Sequence, residues 1–355
     1  GSGALDALTT GDNNIAIGDQ SLGANVTGSN NVSVGRNAMI VSTGTDNNTA
    51  VGRSALQQNA ASNNTAVGRD ALAANTTGTR NIAVGGLALD ANTTASDNVA
   101  MGYAAGGAIT TGFENISIGN FANDANETGN YNVAMGHGAL GANTASNNTA
   151  IGRKALLTNS TGTQNVALGG EALEANTTGN YNVALGKNAL LNNTTADNNT
   201  AVGTYSLDAN TTGANNTGLG FGALGGNTTA SNNTAVGYGA LLSNTTGTDN
   251  VAVGNNCLDA NTTANDNTAI GSGSLGANTT GASNTALGRG VLNASTTASN
   301  NTGVGYFALV SNTTGTQNVA VGALAGDAIT TGNYNVAVGY NALTTSATAD
   351  RNTAI

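Results

Sequence analysis

The sequence predicts an all-β fold, a parallel β-solenoid (β-roll) of about 21 coils. Three observations predict it. One glycine recurs down the whole chain at a near-constant interval. The four residues ahead of each glycine alternate in character with the period of a strand. The composition, finally, leaves no material for a thick core: of 355 residues only 8% are charged and 3% aromatic, with 52 Gly and neither Pro nor Trp. A globular chain normally carries about 25% charged residues.

The glycine frame runs Gly1, Gly18, Gly35, Gly52, Gly68, Gly85 and so on to Gly339. Its units are 17 residues long, except for two of 16, from Gly52 to Gly68 and from Gly136 to Gly152. Residues 1–355 divide into 21 such units as a single repeat array.

Each element of the unit has its own reason. Before the glycine stands an aliphatic residue (Val67, Ile118, Leu168, Met135), before that a small one, then a β-branched one (Thr65, Val99, Ile116). Asn comes fourth, in every unit. This period-2 pattern reads as a short strand. The glycine ends it, at a corner that can need positive φ. Two variable residues follow, then usually Ala-Leu, as at Ala55-Leu56 and Ala155-Leu156, read as a second short strand. An Asn-Thr-Thr run closes the unit and reads as a polar turn. Both 16-residue units lose their residue there, at Asn59-Ala60-Ala61-Ser62 and Asn143-Thr144-Ala145-Ser146, where a loop tolerates a deletion.

Such a unit cannot hold itself together, because one aliphatic residue and one Leu do not offset the entropy of ordering the whole unit. Stacked units pair their strands and bring identical residues into columns. The aliphatic column before the glycine and the Leu column are then expected to form a narrow core. The Asn column, with Asn14, Asn31, Asn48, Asn64, Asn81 and Asn98, is expected to bond amide to amide up the stack and to satisfy turn backbone groups. The absence of Pro fits, since Pro would remove a ladder donor. At ~4.8 Å per coil the rod would be about 100 Å long. With no segment of different composition at either end, the array is expected to be a fragment of a longer fibre.

A net charge of −10 disfavours nucleic acid and anionic membrane surfaces as partners. Cys257 is the one cysteine, so there is no internal disulfide framework. No stretch approaches the ~20 apolar residues of a membrane span, so no membrane insertion is expected. The first residues lack a basic region and an apolar signal core.

The strings Asn31-Val32-Ser33-Val34-Gly35, Asn81-Ile82-Ala83-Val84-Gly85 and Asn115-Ile116-Ser117-Ile118-Gly119 resemble the head repeats of trimeric autotransporter adhesins. Similar repeats occur in phage tail fibres. The resemblance implies a left-handed β-roll with three chains packed side by side. Two departures stand against it: the unit here is a few residues longer, through the Asn-Thr-Thr turn, and stalk and anchor segments are absent.

No catalytic residue, cofactor or metal site is expected. His137 falls on a variable position and reads as a solvated surface residue. Cys257 takes the slot of a usual Ala, small and buried. The carboxylates Asp19, Glu171, Glu174 and Asp208 are scattered, and no metal-ligand spacing or calcium nonapeptide occurs. The position after the glycine is richer. It holds Arg36, Arg53, Arg69, Tyr103, Arg153, Tyr238, Arg289, Tyr306 and Tyr340, with His137, Lys187 and Phe221. Stacked, these would form one surface stripe, a binding candidate because Arg and Tyr anchor recognition surfaces and aromatic faces suit sugar rings. The plainer reading is a solvated corner that accepts any residue, as Asp19 and Asn120 suggest. Arg36, Arg53 and Arg69 would stack like charges unless a carboxylate stands near.

The Asn-Thr-Thr runs match the Asn-x-Thr glycan acceptor, a match that a repeat makes almost automatic. Their Thr columns suit water ordering, although the interruptions at Ala61 and Ala145 favour a turn over a flat plate. The expected function is a rigid structural and adhesive fibre segment, extracellular, on a bacterial surface or a virion. Its partners would be two further copies of itself and a host-surface glycan or protein. The alternatives are an end-to-end homopolymer forming a filament and, third, an ice-binding solenoid.

Overall fold

The computed structural model describes residues 1–355 and shows a parallel β-solenoid without helices. The coils fall into two compact units, residues 1–178 and residues 179–355. In the first, three-residue strands run from β1 (Ile15–Ile17) to β10 (Val166–Leu168). Each pairs in parallel with the next strand in sequence, in register by one coil, as in Ile15↔Val32, Ala16↔Ser33 and Ile17↔Val34. The 16-residue units keep this register, since Thr49 still faces Thr65. In the second unit the same ladder runs from β11 (Val183–Leu185) to β21 (Thr353–Ala354).

The strand faces are the reverse of the expected core. The small middle residue points inward and is fully buried, as at Ala50, Ala66, Ala83 and Ala201. The flanking β-branched and aliphatic residues point outward, with Ile82 42%, Met101 44% and Leu168 46% exposed. The interior is too thin for anything larger. A Cβ on Gly218, at the same middle position, would lie 2.5 Å from Ser206 Oγ and 3.4 Å from Leu207 Cγ on the opposite wall. Ala, Leu and Asn fill the core instead.

The Ala-Leu segment is a turn and not a second strand. Ala55 and Leu56 are both fully buried, which a strand forbids because neighbouring side chains there point to opposite faces. The chain solves this by alternating handedness. Ser54 and Leu56 take φ of +57° and +50°. The Ser54 N–H then donates back one coil, to Arg36 O at 3.0 Å, and the Leu56 N–H forward one coil, to Ala71 O at 3.0 Å. A left-handed Leu costs about 1–2 kcal/mol, and its burial returns about 1.5–3 kcal/mol.

The corner glycine is required twice over. Gly18 has φ +131°, and a Cβ there would stand 2.6 Å from Gly35 O in the next coil.

The Asn column behaves as the sequence predicts. Asn64 Oδ1 accepts the backbone N–H of Asn81 at 2.9 Å, and Asn64 Nδ2 donates to the turn carbonyl of Gly78 at 2.8 Å. The same links recur at Asn14, Asn31, Asn48, Asn81 and Asn98. A second Asn column, read from sequence as part of a polar turn, is also fully buried, as at Asn75 and Asn92. Asn75 Nδ2 donates to Gly78 O at 2.9 Å, so both columns converge on one carbonyl. In the shortened units this cap spans two residues where it otherwise spans three, with Asn59 Nδ2 donating to Ala61 O at 2.6 Å. The deletion is absorbed in the capped turn.

Candidate functional site: the corner after the glycine

Because each glycine turns the chain at a fixed corner, the residue that follows it leaves the coil toward solvent. Arg36, Arg53, Arg69, Tyr103, Arg153, Tyr238, Arg289, Tyr306 and Tyr340 are all exposed. Tyr340 is the most open of the tyrosines, at 74%.

Four of the five arginines are matched by carboxylates from neighbouring positions. Asp70 Oδ2 stands 3.2 Å from Arg53 and 3.5 Å from Arg69, so one carboxylate separates two stacked guanidinium groups. Arg36 faces Asp19 at 4.0 Å, and Arg153 pairs with Glu171. Exposed as they are, these pairs set local order more than stability.

The aromatics cluster with partners from the second variable position, which the sequence reading did not recognise as a column. Tyr103 meets Phe121 edge-on at 5.5 Å, and Phe121 meets His137 at 6.1 Å. Tyr205 and Phe221 meet edge to face at 5.9 Å, and Phe221 stacks on Tyr238 at 5.5 Å with planes 10° apart. Arg289 lies over Phe307 at 5.8 Å, and Phe307 abuts Tyr306 at 4.3 Å. The signal for this second column was its run of Asp70, Phe121, Glu171, Tyr205 and Phe307, two residues past the glycine. The corner is therefore two residues wide, and it breaks into separate patches.

A further corner, just before the Asn column, was also missed. There Arg80 holds Asp97 through two hydrogen bonds of 2.6 and 2.7 Å, which lowers the Asp97 carboxyl pKa and raises that of the guanidinium. Phe113 and Tyr131 meet edge-on at 5.2 Å, and Arg351 lies over Tyr334 at 5.4 Å.

Cys257 is fully buried, and desolvation pushes its thiol up to about 12. Its Sγ–H donates to Ala269 O at 3.1 Å. No three His, Cys, Asp or Glu side chains come together as a metal site would require. No helix is long and apolar enough to cross a membrane. No protein-family model matches the chain, and no curated protein matches it in sequence.

Proposed function

We propose that the chain is a rigid, structural and adhesive segment of an extracellular fibre, on a bacterial surface or a virion, whose copies associate side by side as a homotrimer. The observation that supports this is the outward apolar face of the strands. All-parallel sheets occur almost only with both faces covered. Here one face packs on the Ala, Leu and Asn interior, and the other presents Ile82, Met101, Ile116, Met135 and Leu168 to solvent, each between 37% and 46% exposed. A three-residue strand repeated over some ten coils makes about 500 Å² of sheet face per unit, apolar along its aliphatic column throughout and along most of its β-branched column in the first unit, whereas Thr fills most of that column in the second. A face of that size is among the largest that monomers expose, and such patches are often functional; two facing copies would together cover about 1,000 Å² per unit, the threshold for a specific contact.

The turn columns give less support to ice binding. The first Thr of each Asn-Thr-Thr run commits its hydroxyl proton to a carbonyl of the next coil, as Thr76 Oγ1 does to Thr93 O at 2.9 Å and Thr211 Oγ1 to Thr228 O at 3.0 Å.

The test is the solution mass of the chain over a concentration series, by light scattering. A constant mass of three chains supports the closed trimer. A mass that climbs without limit points to the filament reading, and a stable monomer overturns both.

A further inference from the structure

The aromatic and amide patch on the corner of the second unit has the chemistry of a sugar site. Tyr205, Phe221 and Tyr238 come from three successive coils and are 38%, 50% and 57% exposed. Phe221 backs Tyr238 in a parallel stack, and Phe221 is the ring neighbour of Tyr238. One coil further on, the corner changes from rings to amides, with Asn255 and Asn256 both exposed. Asn256 Oδ1 lies 2.7 Å from the place a Cβ on Gly239 would take. Because residue 239 is a glycine, the amide sits close beside the backbone that carries Tyr238. The result is a step with an aromatic wall and an amide floor.

Charge decides what fits there. Between Lys187 and Arg289 the two corner positions hold no charged residue. The carboxylates of Asp208 and Asp259 belong to the same coils, half-buried and directed at the next coil's Gly225 and Gly276. An anionic ligand would find no cation here and two carboxylates nearby, whereas the first unit offers it Arg36, Arg53 and Arg69. A neutral ring with polarised C–H bonds on one side and hydroxyls at its rim matches the step. The C–H bonds meet the negative face of an aromatic ring, and the hydroxyls meet amides that both donate and accept.

We propose that Tyr238, supported by Phe221 and Tyr205 and flanked by Asn255 and Asn256, forms a binding site for a neutral hexose chain. This names the ligand class for the adhesive reading above and rests on it. Tyr238 takes the sugar face, and Asn255 and Asn256 take its hydroxyls.

The experiment presents the full-length chain to a printed panel of neutral hexose oligosaccharides and their sialylated counterparts. Retention on neutral oligosaccharides is expected. Tyr238→Ala and Phe221→Ala should each weaken it by about fivefold or more, Tyr238→Phe should retain it, and Tyr103→Ala and Arg53→Ala should leave it unchanged. An unshifted melting curve for each variant shows that the fold is intact, as the exposure of these side chains predicts. The proposal is overturned by no retention on neutral sugars, by preference for sialylated ones, or by retention indifferent to Phe221→Ala and Tyr238→Ala. The mass measurement separates the two ideas. A fixed-mass trimer that retains no sugar loses this site and keeps the fibre, while a monomer that retains sugar does the reverse.

Discussion

Ile109 fills the space that Gly106 leaves. Its Cδ1 stands 3.0 Å from where a Cβ on Gly106 would be, and Leu89 Cδ2 approaches the same point at 3.1 Å. In most coils the first position is Leu and the second is the Asn that caps the turn; in this coil the large side chain has changed places. Gly326 and Ile329 repeat the exchange, with Ile329 Cδ1 3.1 Å from the corresponding point. In these two coils the interior at this level is filled by one large aliphatic group, which the capped turn supplies in place of the Ala-Leu segment.

Gly106→Leu should therefore be destabilising alone, by about 1–3 kcal/mol through overpacking. Ile109→Asn should also be destabilising alone, because it empties the same space. The double variant restores the commoner pair and should be close to neutral, with a coupling of about 1–3 kcal/mol in a double-mutant cycle read by denaturant unfolding. Strictly additive losses would contradict the shared space.

The inversion of the strand gives a second prediction. Ala201→Leu puts a large side chain into the filled interior, whereas Val202→Leu changes a residue 36% exposed on the outer face. The first should cost about 1–3 kcal/mol or more, the second within about 0.5 kcal/mol. Thermal melting at matched concentration distinguishes them, and equal losses would place both side chains inside. Val202→Asp should leave the single chain folded and reduce the mass measured by light scattering.

The Asn ladder is a chain of buried bonds in which each side chain holds the next coil's backbone N–H, while the turn carbonyl is shared with the second Asn column, as Asn92 Nδ2 donates to Ala95 O at 3.1 Å. In Asn81→Ala the backbone N–H of Asn98 loses its acceptor at 3.0 Å and the carbonyl of Ala95 loses a donor at 2.8 Å. The expected cost is about 1–3 kcal/mol. Asn81→Asp keeps the acceptor, loses the donor and buries a charge, so it should be at least as harmful at neutral pH and milder in acid. Chemical denaturation at two pH values would show it.

Four carboxyls give the chain an unusual acid response. Burial raises the pKa of Asp90, Asp124, Asp208 and Asp259 above the ordinary 3.8. A carboxyl raised in the fold is held there more easily when neutral. The penalty is thus present at neutral pH, begins to lift as pH falls through the raised folded value, and is gone below the unfolded one. Asp97, lowered by its hydrogen bonds to Arg80, has the opposite sign: it stabilises at neutral pH and is lost in acid. The melting temperature of the wild-type chain should rise between neutral pH and about pH 4. Changing the four raised residues to Asn should flatten that rise, and a rise of undiminished size in the fourfold variant would assign it elsewhere.

Cys257 should be silent toward alkylating reagents in the native chain at pH 8. Its thiol is buried, and its pKa near 12 leaves almost no thiolate. Labelling should appear in denaturant, with the midpoint of unfolding. Rapid native labelling would mean that the coil from Gly254 opens readily.

Most of the fold was legible because a repeat makes every column visible. The invariant Asn ahead of each glycine announced a buried ladder, since no solvated position needs the same amide 21 times, from Asn14 to Asn352. The candidate corner was half legible. Its first column was set by the glycine, but partners such as Asp70, Phe121 and Tyr205 come from a second column whose left-handed backbone, with φ of +57° at all three, sequence does not display. The Asn of the Asn-Thr-Thr turn was misread for a related reason. Turn residues are usually solvated, and only the closed coil shows that Asn75 caps a carbonyl inside it.

The sequence by itself determined the period, the parallel register, the glycine corner and the place where a residue can be lost, because each follows from pattern and backbone sterics. The tertiary structure alone decided which face of the strand is inside. A period-2 pattern separates two faces without naming the buried one, and the usual rule sends the larger apolar side chains inward. Here the opposite wall stands too close, with Leu207 and Ser206 already against the backbone of Gly218, so the small residue goes in and the Val, Ile, Leu and Met columns remain on the outside.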